Sequence, residues 1–145
     1  MKNSSQKIKI NHSPKDLFNI VLDIEKYPEF IPWCSNIIII SKNDKEIIAD
    51  MIVKYNKLFP LKFSSHVLFN KKKLFIKTNY IKGPLKDLKT EWIFKEIESS
   101  ITEVTFKIEF EFKKFLHQKV AEFFYKLIED KMIESFKRRA DSILN

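Results

Sequence analysis

The stretch DIEKYPEFIPWC, residues 23–34, holds three large aromatic side chains, two prolines and the only cysteine of the chain. Pro28 and Pro32 cannot continue a helical hydrogen-bond ladder, and each disfavours helical backbone in the residue before it, Tyr27 and Ile31. The stretch is therefore predicted to be a broken helical turn or a structured loop. Because aromatic rings of this size are costly to leave in water, they should cover something apolar, close a cavity or meet a partner.

Apolar side chains recur at every second position across much of the chain that follows. The clearest run lies between residues 103 and 112, where Val, Phe and Ile alternate with Glu, Lys and Thr. Shorter alternating runs fill residues 37–98, and turn-forming Asn, Gly, Pro and Ser residues separate them. This pattern predicts six strands in a sheet with one buried face and one wet face. The short connections predict that successive strands are antiparallel neighbours.

Helical patterns stand on either side of these strands. A short strand over residues 7–11 precedes a helix that Ser13 caps and Pro14 begins, and a second short helical turn follows it. From Val120 to Ile143, apolar residues recur every three or four positions, which predicts one helix of about 25 residues with a single apolar face. The predicted order is β-α-α-β-β-β-β-β-β-α, with the long helix as the only element large enough to cover the sheet.

Length and composition limit the class of protein. The chain of 145 residues is expected to form a single domain, 1–145. No apolar run approaches the roughly 20 residues that cross a membrane, and no apolar segment follows the basic N-terminus as in a signal peptide. A single cysteine cannot form an internal disulfide and fits a reducing compartment. We therefore expect a cytoplasmic protein, and peripheral contact with the inner membrane remains open.

The chain carries a formal net charge of +8. One interpretation is attraction to phosphate, either in RNA or on an anionic membrane surface. The alternative is mutational bias, because Lys, Ile, Asn and Phe are the residues that an A+T-rich genome favours. Only Arg138 and Arg139 are arginines, and arginine is the better residue for planar phosphate contacts.

The sequence contains few signals of catalysis or metal binding. With one glycine, it has neither a phosphate-cradling loop nor a nucleophile elbow. His12, His66 and His117 are far apart and lack ligand spacing to one another or to Cys34. Cys34 has no neighbouring histidine as a base and is interpreted as a small apolar residue. We predict no catalytic residue, no metal and no cofactor, and therefore not an enzyme.

The segment DIEKYPEFIPWCS, residues 23–35, resembles the signature of the START-like family that contains the mitochondrial coenzyme Q-binding protein and the bacterial ribosome association toxin. Further matches follow in order: GPL at 83–85 with Leu88, Trp92 and Phe94, FEF at 110–112, and FKRRA at 136–140. The resemblance implies the helix-grip fold of the α+β class. In that fold a curved antiparallel sheet of about seven strands wraps around the C-terminal helix and leaves a cavity between them.

Inward aromatic positions and the resemblance together predict a ligand cavity. Its wall would be almost wholly apolar, which suits a lipid, a prenyl chain or a quinone, although ordinary core packing explains each side chain singly. Gly83 is predicted to allow a tight turn, to let a loop open at the mouth, or both. The predicted wall and entrance comprise Tyr27, Phe30, Ile31, Trp33, Phe63, Ile76, Gly83, Pro84, Leu85, Trp92, Phe106, Phe124 and Ile128.

Three functions follow from the resemblance. The leading one is a non-catalytic binder of a hydrophobic small molecule, a polyprenyl quinone such as ubiquinone, that supports respiration or quinone metabolism. The second is a ribosome association toxin that binds the large ribosomal subunit and blocks subunit joining, helped by the basic clusters at 71–73, 113–114 and 137–139. The third is an enzyme, because some distant START-like relatives cyclise or dehydrate polyketides. A membrane surface, in peripheral contact, is a further candidate partner, and binding to DNA is not expected.

Overall fold

The structure, a computed structural model, describes residues 2–54, 60–127 and 131–144. Its elements follow in the order β1 (Lys2–Ile10), α1 (Pro14–Leu22), a 3₁₀ turn (Ile24–Lys26), α2 (Tyr27–Phe30), β2 (Cys34–Lys42), β3 (Glu46–Lys54), β4 (Pro60–Asn70), β5 (Phe75–Lys82), β6 (Asp87–Glu98), β7 (Ile101–Glu111), α3 (Gln118–Lys126) and α4 (Met132–Leu144). The predicted order is confirmed. The predicted long C-terminal helix corresponds to α3 and α4, and residues 128–130 between them lie outside the described residues.

The seven strands of the described chain form one antiparallel sheet in the order β1-β7-β6-β5-β4-β3-β2. Neighbours in sequence are therefore neighbours in space from β2 to β7, and β1 closes the series by pairing with β7. Register shifts interrupt the ladders within β2, in β4 at residues 64–65 and in β6 at residues 96–98. Such bulges bend a strand and increase its twist, which helps to curve the sheet.

Helix α1 begins where the sequence predicts. The Ser13 hydroxyl accepts a hydrogen bond from the backbone N–H of Asp16 at 3.2 Å, and Pro14 occupies the first turn. The face of α1 that turns inward carries Leu17, Phe18, Ile20 and Val21. The Phe18 ring meets Phe94 of β6 edge to face, with 5.9 Å between the ring centroids. The helix is thereby packed against the sheet.

In the proline-rich segment after α1, one of the two predictions about backbone conformation is confirmed and the other is wrong. Ile31, before Pro32, is extended with φ −99° and ψ 108°. Tyr27, before Pro28, is helical with φ −52° and ψ −40°, so the expected exclusion from the helical region is wrong there. Pro28 lies in the first turn of α2, where its missing N–H leaves no helical bond unmade. The buried Tyr27 hydroxyl also donates to the Val21 carbonyl, which holds the residue in place.

The aromatic rings of this segment pack on the C-terminal helix α4. Tyr27, Phe30 and Phe136 meet one another edge to face at centroid distances of 5.3–5.8 Å. Phe136 also contacts Trp92 of β6 at 4.9 Å. Each such pair adds about 0.5–1.5 kcal/mol to the free energy gained by burying the rings. The segment 23–34 is therefore held to both the sheet and α4.

The loop between β5 and β6 is tied down by Tyr80. Its hydroxyl donates to the carbonyl of Leu85 at 2.9 Å and accepts from the N–H of Leu85 at 3.0 Å. A side chain at Gly83 would place a Cβ 2.7 Å from that hydroxyl and 2.9 Å from the carbonyl oxygen of Lys62. Glycine is therefore required because the loop approaches β4 and Tyr80 closely.

We expect Gly83→Ala to destabilise the protein by about 1–3 kcal/mol, since the backbone oxygen of Lys62 cannot move aside without disturbing β4. The urea midpoint of unfolding measures this change. Tyr80→Phe should also lower the midpoint, because the ring remains while both bonds to Leu85 are lost. Ser99→Ala, in the exposed turn between β6 and β7, is the control and should change little. An unchanged midpoint for Gly83→Ala would contradict the assigned role.

Candidate functional site

Two adjoining chambers lie between the sheet and the helices. The larger has a volume of about 160 Å³ and the smaller about 90 Å³. Five residues line both chambers: Tyr27, Met51, Ser65, Thr78 and Trp92. Both volumes are below the roughly 300–1,000 Å³ of a pocket for a drug-sized ligand. A ligand of that size must therefore extend beyond the chambers or displace wall residues.

The structure brings most of the predicted site residues to these chambers. The larger chamber is lined by seven of them: Tyr27, Trp33, Phe63, Leu85, Trp92, Phe106 and Phe124. Ile76 lines the smaller chamber. Ile31 is buried, and Gly83 and Pro84 are half-buried beside Leu85, but none of the three is on a chamber wall. Ile128 lies outside the described residues.

Phe30 packs on α4 instead of facing a chamber. The guanidinium of Arg139 lies 5.0 Å from the Phe30 ring centroid, and its Nη2 is 3.5 Å from a carboxylate oxygen of Glu29. The Phe30 ring also contacts Phe136. Phe30 thus secures α2 to the C-terminal helix, whereas Tyr27 and Trp33 reach the chamber wall.

Sequence reasoning missed a row of three hydroxyl groups on the cavity wall. Thr78 of β5 pairs directly with Thr90 of β6, and Ser65 of β4 lies diagonally opposite Thr78. Within the part of the chain that the structure describes, none of these hydroxyls has a hydrogen-bond partner. The sequence did contain a sign of this row, because each of the three residues takes the place of an apolar side chain at an inward-facing strand position. Only the strand register shows that the three interruptions coincide.

The rest of the missed wall is apolar. In the larger chamber these residues are Met51, Val53, Leu88, Ile108, Leu127, Met132 and Phe136, and in the smaller chamber they are Val21, Ile24, Ile37, Ala49 and Val67. Met51 comes from the sheet and Met132 from α4, so an unbranched, flexible thioether faces the cavity from both sides. Methionine adapts its shape to irregular neighbours, so this wall can adjust to the outline of a ligand.

Tyr27 is the only titratable residue on the described walls. Its burial raises the pKa of the phenol far above the ordinary value, and the nearby Cys34 and Asp23 raise it further. The phenol therefore stays protonated, and its proton is directed to the Val21 carbonyl. The described walls carry no carboxylate, imidazole, ammonium or guanidinium that could act as a general acid or base near neutral pH.

Cys34, the last residue of the segment 23–34 and the first of β2, is buried, with 3% of its surface exposed. Burial raises the pKa of its thiol to about 11, and a hydrogen bond with the Asn36 backbone partly offsets that rise. The thiolate is the reactive form of cysteine, so this residue is a poor nucleophile at neutral pH.

The described part of the chain contains neither a metal site nor a membrane-spanning helix. Among the described residues, no three His, Cys, Asp or Glu side chains are grouped closely enough to hold a metal ion. In the same residues, no helix has both the length and the apolar character that crossing a membrane requires. The candidate site is the apolar cavity with its row of hydroxyls.

A curved antiparallel sheet closed by C-terminal helices around an apolar cavity defines the class of helix-grip proteins. Within that class, the chain belongs to the family described as polyketide cyclase / dehydrase and lipid transport, whose family model matches residues 10–137. The START-like resemblance noted in the sequence is thereby confirmed.

Curated relatives of two kinds share this sequence. The chain is 33% identical over 136 residues to the ribosome association toxin RatA of Rickettsia prowazekii, covering 92% of each protein. It is 32% identical over 132 residues to the mitochondrial coenzyme Q-binding protein of Drosophila melanogaster, covering 88% of this chain and 53% of that protein. The chain thus spans about half the length of the second relative.

Solved structures with the same fold have little sequence in common with this chain. The Zhui aromatase/cyclase from a Streptomyces species superposes with a TM-score of 0.86 at 10% identity, covering 99% of this chain and 96% of that one. A START superfamily protein from Mycobacterium smegmatis gives 0.81 at 14% identity, covering 97% and 98%. At these identities the likeness shows the fold alone.

We expect Cys34 in the folded protein to react with iodoacetamide at pH 8 at least ~100-fold more slowly than a free thiol. A pKa of about 11 leaves few thiolates at that pH, and burial blocks access. The rate should rise with pH as the thiol approaches its pKa. The same protein unfolded in urea is the control and should react at the rate of an ordinary cysteine. Equal rates in both states would contradict the assigned environment.

Proposed function

We propose that this protein is a non-catalytic binding protein for a hydrophobic small molecule, and that the ligand is a polyprenyl quinone of the ubiquinone type. One observation carries the proposal: three unpartnered hydroxyls stand in a row on the wall of an otherwise apolar cavity. We further propose that residues 1–145 act as one domain in the cytoplasm, with peripheral membrane contact.

The cavity wall fits the two parts of such a ligand. A prenyl chain is apolar, and each methylene group buried against Leu85, Phe124 or Met132 is worth about 0.8 kcal/mol. A quinone ring carries carbonyl oxygens, which only accept hydrogen bonds. The hydroxyls of Thr78 and Thr90, which face the chamber, can donate to them.

The position of the hydroxyls suggests how the ligand lies. Ser65 and Thr78 line both chambers, whereas Leu85 and Phe124 line only the larger one. The quinone ring would therefore lie near the junction of the chambers, with its chain directed along the larger one. Because the chambers are small, a long chain would leave past Leu85. The similarity to a coenzyme Q-binding protein adds independent support.

An enzymatic role is not proposed. The similarity to an aromatase/cyclase is at 10% identity and extends to the fold only. Cyclisation or dehydration needs a proton donor and acceptor beside the substrate, and the described walls offer only the phenol of Tyr27. Since that phenol is committed to the Val21 carbonyl, binding is the better-supported function.

A second candidate function is ribosome association, and different observations favour it. The relatives named ribosome association toxin include the 33% identical protein of Rickettsia prowazekii. In addition, Lys71, Lys72 and Lys73 are exposed in the β4–β5 turn. Lys45 of the β2–β3 turn lies close to them, because its carbonyl accepts a hydrogen bond from the N–H of Phe69. We call these two turns the hairpin end.

The third basic cluster, residues 137–139, is less suited to phosphate. Arg138 pairs with Glu134 at 2.5 Å, and Arg139 pairs with Glu29 and covers the ring of Phe30. Both guanidinium groups therefore have partners already. If the protein binds ribosomal RNA, the lysines of the hairpin end are the better candidates for the contact.

For the quinone, we expect Thr78→Val combined with Thr90→Val to weaken binding of a short-chain ubiquinone by about tenfold, because two donors are lost while the shape is kept. Quenching of the fluorescence of Trp33 and Trp92, which both line the cavity, gives the affinity. Binding of a prenyl alcohol of equal chain length should remain or improve. Thr105→Val is the matched control, since that residue precedes Phe106 on β7 and faces the other side of the sheet.

Two results would count against the quinone. Equal weakening for the quinone and the prenyl alcohol would mean that the hydroxyls do not recognise the ring. Failure of the unaltered protein to bind any short-chain ubiquinone would reject the ligand itself, and ribosome association would then be the remaining function.

For ribosome association, we expect the protein to co-sediment with large ribosomal subunits at low salt and to be released steeply as salt rises. Lys72→Gln combined with Lys73→Gln should weaken binding and flatten the dependence on salt. Lys113→Gln combined with Lys114→Gln removes the same charge elsewhere and is the matched control. Binding that does not respond to salt, or that both variants weaken equally, would contradict a contact through the hairpin end.

A further inference from the structure

Phe115 stands in water between β7 and α3. Its side chain is 91% exposed, in the sequence Lys113-Lys114-Phe115-Leu116. The ammonium group of Lys114 lies 5.5 Å from the Phe115 ring centroid. In the described part of the chain, neither Lys113 nor Lys114 has a carboxylate within salt-bridge distance. The Phe115 ring and the two ammonium groups are therefore all accessible to a partner outside the chain.

Other loops lie at the same end of the sheet. The N–H of Lys86, in the β5–β6 loop, donates to the carbonyl of Glu111 at the end of β7. Lys2 of β1 pairs with Phe110 of β7. We call this region, formed by the β5–β6 loop, the β7–α3 connection and the strand ends beside them, the loop end. A second exposed apolar side chain, Ile81, lies at the end of β5 there.

The loop end carries an excess of positive charge. Its exposed lysines are Lys2, Lys54, Lys62, Lys82, Lys86, Lys113 and Lys114. The carboxylates of Asp87 and Glu111 lie among them, and Glu111 is 3.8 Å from Lys86. On the neighbouring outer face of the sheet, by contrast, lysines and glutamates of β6 and β7 stand opposite one another, as in Lys89 and Glu109. Charge is therefore balanced on that face and unbalanced at the loop end.

The larger chamber reaches this same end. Leu85 of the β5–β6 loop lies on its wall, and so does Leu88, which pairs with Phe110. On the opposite side, Phe124 of α3 lines the chamber a few residues after the β7–α3 connection. A surface in contact with the loop end would therefore lie over the end of the cavity.

We propose that the loop end docks on anionic lipid bilayers, with Phe115 inserted at the boundary between headgroups and acyl chains and Lys113 and Lys114 against the headgroup phosphates. The inference rests on the peripheral membrane contact proposed above and deepens it by naming the docking surface and the lipid class, and it does not depend on which ligand the cavity holds. A bilayer offers an apolar medium for both Phe115 and Ile81, and point charges on flexible stems suit its mobile phosphates. RNA could stack on Phe115 but provides no such medium for Ile81.

Vesicle co-sedimentation of the full chain tests the proposal. The protein should bind vesicles of phosphatidylcholine mixed with phosphatidylglycerol and should not bind phosphatidylcholine alone. Phe115→Ser should lower the partition coefficient about tenfold, because an inserted aromatic ring is removed. Lys113→Gln combined with Lys114→Gln should lower it about tenfold or more, and added salt should lower it further. The Phe115→Trp variant should bind normally and shift its emission to the blue on binding, which reports insertion directly.

Two matched controls lie away from the loop end. Ile40→Ser removes an apolar side chain that is 59% exposed on the edge strand β2, and Lys72→Gln with Lys73→Gln removes two charges from the hairpin end. Both should bind vesicles as the unaltered protein does. The proposal is overturned if these controls lose as much binding as the loop-end variants, or if the emission of the Phe115→Trp variant stays unshifted on anionic vesicles. It is also overturned if the unaltered protein ignores vesicles and Phe115→Ser weakens binding to ribosomal RNA instead.

Discussion

The contact between Trp92 of the sheet and Phe136 of α4, at 4.9 Å between ring centroids, is the interaction on which the site depends. It joins the curved sheet to the C-terminal helix, and Tyr27 packs against the same Phe136 ring. Rigid rings set the separation of sheet and helix, but the small side chains of Thr78 and Thr90 do not fill it. The cavity exists because large residues hold its walls apart while small ones form part of its lining.

The interior of the fold and its outer surface expose different kinds of side chain. Inside, Tyr27 is the only titratable residue on the described walls, and its hydroxyl is already bonded to the Val21 carbonyl. Outside, lysines and glutamates face each other on β6 and β7, and exposed lysines lie at both ends of the sheet. The hairpin end surrounds its lysines with polar side chains such as Asn70, whereas the loop end sets them beside Phe115. The two ends therefore differ in the side chains that surround their lysines.

Much of the fold could be predicted because local patterns and tertiary packing agree. The alternation before Phe112 became β7, and the Ser13 cap became the start of α1. The prediction failed at Tyr27, where a buried hydroxyl bond to Val21 and ring contacts outweigh the local effect of the following proline. For the site, the inward aromatic positions could be predicted from parity, but Phe30 could not, because its contact with Arg139 joins residues distant in sequence.

The sequence by itself determined the order of the elements, the face of each strand that is buried and the absence of a phosphate-binding glycine loop, since these follow from periodicity and residue type. Tertiary structure alone decided that Ser65, Thr78 and Thr90 form a row, because strand register, which no local pattern specifies, makes them neighbours. It also decided that Phe115 is exposed, since a short apolar run has the same pattern whether it packs in the core or stands in water.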